Sequence, residues 1–194
     1  MPRLFIAIDL PEAVKESLVL LQNGLRGARW VTRDNLHLTI RFIGEVSAEE
    51  AGEIYSVLGE VRAMPFIIKL GEIGVFSSRG KPRNVWIGVQ DRSSIDTLKR
   101  QIDHSLLRLG INPEGRKYVP HVTLARLREK SSKLSDFLAR LGTRRGAPVR
   151  VEQFVLFSSI LAHTGAIYTP EVYYPLVSSR LNFGRSAGTI IGNV

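Results

Sequence analysis

Four histidines stand in the 194-residue sequence, at positions 37, 104, 121 and 163, and two of them open the same short pattern: His37-Leu38-Thr39-Ile40 and His121-Val122-Thr123-Leu124. In a β-strand, residues i and i+2 project from one face. Each pattern therefore sets an imidazole and a hydroxyl side by side on one face and two aliphatic residues on the other. An imidazole has a free pKa of roughly 6.5, so near neutral pH a pair can hold one bare base and one charged acid. That division of labour suits attack at phosphorus, where a nucleophile loses a proton and a leaving oxygen gains one. The Thr39 and Thr123 hydroxyls could donate to the non-bridging oxygens, where negative charge builds. The scheme needs no metal and no cofactor. One such strand motif alone reads most simply as a half-buried histidine bonded to a neighbour, but two in the same slot of a repeat do not.

The elements that must position these residues follow from periodicity. Residues 3–9 read as a strand, and Pro11 opens a helical pattern running to about residue 25. Residues 28–31 and 36–43 read as strands, and Ser47 with Glu50 is a capping-box signature for a helix to about residue 62. A strand over 66–76 is followed by a basic, turn-rich loop, SSRGKPRN, over 77–84. A second cycle then runs through a strand at 85–89, a helix at 94–109, a strand at 121–127, a helix at 132–141 and strands at 150–160 and 172–177.

The two cycles align. The histidine motifs and Ser47 with Ser131 match at an offset of 84 residues, and Val75-Phe76-Ser77-Ser78 matches Leu156-Phe157-Ser158-Ser159 at an offset of 81. An internal duplication of roughly 1–83 and 84–177 within a single bilobal domain, residues 1–180, is the expectation, with 181–194 a Gly-containing tail. Such a unit predicts an α+β fold of two pseudo-symmetric lobes, each an antiparallel sheet with helices on its outer face, and an active cleft between the sheets.

Composition narrows the chemistry. There is no cysteine, which excludes disulfides, thiol nucleophiles, thiolate zinc and iron–sulfur clusters and favours the cytoplasm. No apolar run is long enough for a signal peptide or a membrane span, and a monomer away from membranes is expected. Lys and Arg number 27 against 18 acids, a net charge of +9. Such a field attracts polyanions such as nucleic acid, or merely marks a soluble basic surface. Gly74 to Lys81 misses the spacing of a phosphate-binding loop, and the histidine separations give no local metal pair. His104 falls inside a helix, and His163 has no counterpart in the first half.

The motifs resemble the paired H-x-T-x signature of the two-histidine phosphoesterases. The wider stretches NLHLTIRFIGE, YVPHVTLAR and LFSSIL with Tyr173-Tyr174-Pro175-Leu176 resemble its RNA 2′,3′-cyclic phosphodiesterase branch, also called 2′-5′ RNA ligase, over about residues 3–177. The resemblance implies opening of RNA 2′,3′-cyclic phosphate ends to 2′-phosphomonoesters, with His37 as proton donor and His121 as proton acceptor, and a weak reverse joining of 2′-5′ linkages. The sequence itself does not fix which histidine does which. The family also implies a stacking or phosphate contact five residues after each histidine, here Phe42 and Arg126. Strict alternation instead aims Arg41 at the cleft, unless a bulge resets the parity. Tyr118 and Trp86, with Arg79, Lys81, Arg83, Arg116 and Lys117 in turns, are further candidates for guiding an RNA end. Two other readings stay open: the same chemistry on small nucleotide or ADP-ribose cyclic phosphates, and a non-catalytic module that holds RNA ends.

Overall fold

The computed structural model describes residues 3–127, 133–142, 146–162 and 165–177. The anticipated tail at 181–194, Ser131 and His163 lie outside them. In chain order the elements are β1 (Arg3–Asp9), α1 (Glu12–Val19), β2 (Ala28–Trp30), β3 (His37–Glu45), α2 (Ala48–Leu58), β4 (Phe66–Ser78), β5 (Lys81–Val89), α3 (Ser93–Leu107), β6 (His121–Leu127), α4 (Leu134–Leu141), β7 (Pro148–Val151), β8 (Gln153–Ala162) and β9 (Gly165–Pro175). The fold is α+β, and every strand pairing is antiparallel.

The two expected sheets are joined into one, in the order β7-β4-β5-β6-β3-β1-β8-β9, with β2 alongside β6. The join is a single pair, Leu38 opposite Val122, at the start of both motif strands. From that point β3 and β6 run in opposite directions, so the sheet has a local pseudo-twofold centre between the two H-x-T-x motifs. Each half of the sheet also draws strands from both sequence halves. β8 pairs with β1, and β4 pairs with β5, so the last strand of each cycle completes the other cycle's sheet.

Helices from both halves bury against one common core. Leu18 of α1, Ile54 and Leu58 of α2, and Ile95, Leu98, Ile102 and Leu106 of α3 cluster with Leu4, Ile6 and Ile8 of β1, Leu38 and Ile40 of β3, and Val122 and Leu124 of β6. Burying each of these aliphatic side chains stabilises the fold by about 1.5–3 kcal/mol before ordering costs. A satellite cluster holds Phe137 and Leu141 of α4 against Val85, Ala125 and Leu127. The capping box forms as read: Ser47 Oγ accepts from the Glu50 N–H, and Glu50 Oε2 accepts from the Ser47 N–H at 2.6 Å.

Several boundaries differ from the sequence reading. Helix α1 stops at Val19, well short of residue 25, because Gln22 leaves the helical path to donate its amide to the carbonyls of Val31 (2.8 Å) and Leu124 (3.3 Å). The SSRGKPRN loop is a tight hairpin: β4 extends to Ser78, β5 starts at Lys81, and Arg79 and Gly80 both take positive φ (51° and 71°) to turn the chain. β9 begins at Gly165, giving β8 a long paired partner. Among the described residues no helix is long and apolar enough to cross a membrane.

Candidate active site

Residues facing away from the common core line a cleft of about 1210 Å³, and His37, Thr39, His121 and Thr123 all lie on it. The alternation within each motif is as the strand geometry requires: Leu38, Ile40, Val122 and Leu124 are buried beneath, and the histidines and threonines are half-buried above. Each motif strand then breaks alternation at the same place. The register steps from Thr39 opposite Ala7 to Arg41 opposite Ile6, and from Thr123 opposite Trp86 to Ala125 opposite Val85. An extra residue is thus inserted in each strand, and two consecutive residues, Ile40-Arg41 and Leu124-Ala125, both point inward.

The bulges decide which neighbours reach the cleft. Phe42 and Arg126 return to the face of the histidines and line the cleft, Phe42 with 58% of its surface exposed. Arg41 does not, and the expectation that alternation aims it into the cleft is corrected. It is buried behind the sheet, donating to the Asn112 carbonyl, with Nε 3.7 Å from Asp103 of α3. Lys99 shares that carboxylate at 2.5 Å. Tyr118 lines the cleft with its ring, but its hydroxyl is engaged, donating to the Thr39 carbonyl at 3.0 Å. Burial raises its pKa, so the hydroxyl stays protonated and acts as a tie between the segment preceding β6 and strand β3. Of the loop cations, Arg83, Arg116 and Lys117 line the cleft, whereas Arg79 and Lys81 do not.

The two imidazoles are held alike. A carbonyl oxygen can only accept, so the Nδ1–H of His37 donates to Asn35 (2.8 Å) and that of His121 donates to Val119 (2.6 Å), each two residues upstream. Nε2 of each neutral ring is left bare, and that of His37 accepts from the Thr39 hydroxyl at 3.0 Å. Rings back both: Phe5, Phe157 and Tyr168 pack on His37, with centroids 5.0, 6.2 and 5.2 Å away, and Phe76 and Trp86 pack on His121 at 4.8 and 5.9 Å.

Desolvation is the largest influence on both histidines. It brings His37 down to about 4, against the Asn35 carbonyl and the Asp9 carboxylate, which favour its charged form, and with the charges of His121 and Lys15, which oppose it. His121 is lowered as well, again mainly by desolvation. Desolvation thus favours the neutral form of both rings.

Sequence reasoning missed part of the lining. Arg29 of β2 and Tyr168 of β9 both face the cleft. β2 is brought there by pairing with β6, a contact almost a hundred residues away in sequence that no local pattern announces. Among the described residues, no group of three or more side chains could hold a metal ion.

A model of the LigT-like phosphoesterases matches the chain twice in succession, over residues 8–86 and 87–168. The chain belongs to this family. It is accordingly a hydrolase, and the two matches fall one on each H-x-T-x motif. An RNA 2′,3′-cyclic phosphodiesterase of Methanocaldococcus jannaschii is 34% identical over 170 residues, covering 86% of this chain and 96% of that protein. One of Thermotoga maritima is 34% identical over 173 residues, covering 86% and 91%. Among solved structures, Escherichia coli LigT complexed with 3′-AMP superposes with a TM-score of 0.76 at 28% identity, covering 92% of this chain and all of that one.

Proposed function

We propose that this LigT-like phosphoesterase hydrolyses 2′,3′-cyclic phosphate ends of RNA to 2′-phosphomonoesters, with His37 and His121 as a metal-independent acid–base pair. The convergence of both H-x-T-x motifs on one cleft carries the reading. The cyclic phosphate would sit between the rings, its non-bridging oxygens accepting from Thr39 and Thr123.

Binding of the anion changes the protonation. A phosphate within a few Å of a desolvated imidazole favours its charged form, against the trend that desolvation sets. We assign that proton to His37, the donor that the family resemblance implies; Asp9, opposite it in the β1–β3 register, favours the charged form of that ring against its desolvation. Once Nε2 of His37 is protonated it no longer accepts from Thr39, and the Thr39 hydroxyl is released to turn toward the phosphate. His121, discouraged from charging by desolvation and by its charged neighbour, keeps Nε2 bare as the base. Water loses a proton to His121 and attacks phosphorus. The P–O3′ bond breaks on the opposite side, and the 3′-oxygen takes the His37 proton. The product is a 2′-phosphomonoester and a free 3′-hydroxyl, and with a ribose 5′-hydroxyl in place of water the same steps would join a 2′-5′ linkage.

The preference for RNA over mononucleotide cyclic phosphates is supported by the lining of the cleft, where five cations (Arg29, Arg83, Arg116, Lys117 and Arg126) face two carboxylates (Asp34 and Glu114). The deciding experiment incubates the protein in chelator with a short RNA ending in a 2′,3′-cyclic phosphate and reads the position of the product phosphate. A 2′-phosphate is expected. A 3′-phosphate, or RNA binding with no turnover of any cyclic phosphate, overturns the reading.

A further inference from the structure

We infer that Asn35 is a positioning residue for His37: its carbonyl holds the ring at Nδ1 while its side-chain amide is moored to β9, so that the imidazole meets the leaving oxygen in one orientation. The inference rests on the reading of His37 as the proton donor. Asn35 ends a single turn of 3-10 helix, Arg33–Asn35, that has no side-chain cap. Its carbonyl accepts from the His37 ring at 2.8 Å, and its Nδ2 donates to the carbonyl of Ala166 at 3.0 Å, 131 residues further along the chain.

One turn of helix is too short to hold its shape unaided, so the direction of that carbonyl depends on what pins the turn. Arg33 reaches Glu12 of α1, with Nη2 at 2.9 Å, but both side chains are exposed and such a pair contributes little. The Asn35 amide ties the turn to a strand that backs the same histidine. Tyr168, two residues beyond Ala166, packs its ring edge against His37 at 85°. Carbonyl, amide and aromatic wall thus fix the ring as one unit.

The ring's other hydrogen-bond partner leaves its tautomer open. Nε2 lies 3.0 Å from the Thr39 hydroxyl, which can donate to a bare nitrogen or accept from a protonated one. A carbonyl can only accept. Of the two partners it is therefore the Asn35 carbonyl that places the hydrogen on Nδ1, and the same bond favours the charged ring that an acid must be. The repeat supplies the contrast. Val119 fills the same slot before His121, and its carbonyl makes the same bond at 2.6 Å although its side chain has no polar atom. Holding an imidazole by a carbonyl needs no particular residue. The amide is an addition, and it stands on the side assigned to the acid.

The test uses Asn35→Ala and Asn35→Leu, which both remove the amide donor, the second with little change of size. On RNA ending in a 2′,3′-cyclic phosphate, kcat should fall about tenfold or more with KM nearly unchanged, the mark of a misplaced reacting group rather than of lost binding. On a phosphodiester whose nitrophenolate leaves without a proton, both variants should keep most of the unaltered rate. Nitrogen NMR spectra of the imidazoles give a readout independent of turnover. The neutral His37 ring should carry its hydrogen on Nδ1 in the unaltered protein and show a mixture with the Nε2–H form in the variants, while His121 is the same in all three. Equal loss on both substrates, no loss on RNA, a loss confined to KM, or an unmoved His37 spectrum overturns the assignment. If the unaltered protein opens no cyclic phosphate, the functional reading falls instead, and the His37 spectrum still decides whether Asn35 orients the ring.

Discussion

The two walls of the cleft are built on matching positions and differ at nearly every residue that is not a histidine or a threonine. Opposite His37 stands Asp9, and opposite His121 stands Gly88. Opposite Thr39 is Ala7, and opposite Thr123 is Trp86. Opposite Phe42 is Phe5, and opposite Arg126 is Asn84. One strand further out, Ala7 meets Val155 where Trp86 meets Gly74. The His37 wall is therefore aromatic with one carboxylate at its end, and the His121 wall is polar and cationic with the rings of Phe76 and Trp86 against its histidine. Shared backbone geometry delivers two like imidazoles, and the unlike surroundings can give them unlike jobs. A symmetric site would give both imidazoles the same proton affinity and leave neither side marked for base or backbone.

The largest effect should come from the histidines themselves. His37→Ala and His121→Ala are each expected to cost 10²- to 10⁴-fold in kcat on RNA 2′,3′-cyclic phosphate. They should part on a phosphodiester with a nitrophenolate leaving group, which needs no proton to depart. There His37→Ala should regain most of its activity and His121→Ala should not. Equal recovery, or recovery by His121→Ala alone, breaks the proposed division of labour.

Next come the two residues that the bulges turn into the cleft. Phe42→Ala should cost about 1–3 kcal/mol of RNA binding through lost base stacking, with little change in salt dependence. Arg126→Ala should weaken binding by a similar amount and make the salt dependence shallower. If the two variants show the same salt response, the walls are not specialised as the pairs Phe5–Phe42 and Asn84–Arg126 indicate.

The layer under the imidazoles offers a third comparison, read as stability. A Cβ on Gly74 would stand 2.2 Å from the Trp86 ring, so Gly74→Ala should destabilise the fold by about 1–3 kcal/mol and lower Tm. The equivalent residue on the other wall, Val155, is fully buried beside Ala7, and Val155→Ala leaves a void rather than a clash. Adding Trp86→Leu should relieve Gly74→Ala and do nothing for Val155→Ala. Without that coupling, Gly74 is not there to admit the indole.

Much of this arrangement could be read from the sequence because it is carried by period and repetition. The H-x-T-x slots recur, their aliphatic partners alternate with them, and Ser47-x-x-Glu50 marks a helix start through purely local bonds. What escaped the reading depends on partners far away in the chain. Whether Arg41 or Phe42 faces the cleft is settled by one inserted residue in β3, and Arg41 is accommodated inside only because Asp103 and the Asn112 carbonyl wait there. Residues 28–31 read as a strand, but nothing in them points to β6, and so Arg29 went unnoticed beside Arg126. The pattern of α1 overran for a similar reason, since the carbonyls that draw Gln22 away belong to residues 31 and 124.

The smallest effect sharpens the comparison most, because it isolates the charge that distinguishes the histidines. Asp9 favours the charged form of His37, and Lys15, 2.8 Å from Asp9, opposes it. The profile of kcat/KM against pH reports the free enzyme, where both imidazoles lie below 6.5, so its optimum should fall on the acid side of that value. The profile of kcat reports the complex, whose bound phosphate favours both charged forms, and its optimum should lie higher. Asp9→Asn removes a charge that holds His37 up, so the limb belonging to His37, near pH 4, should move to lower pH by less than about one unit, the scale of a partly exposed pair. Lys15→Met removes a charge that holds His37 down, and the same limb should move the other way. The limb belonging to His121 should stay in place in both, since neither charge is among the influences on that ring. Movement of both limbs together would mean that the two imidazoles titrate as one coupled pair, and the carboxylate opposite His37 would then mark neither of them as the acid.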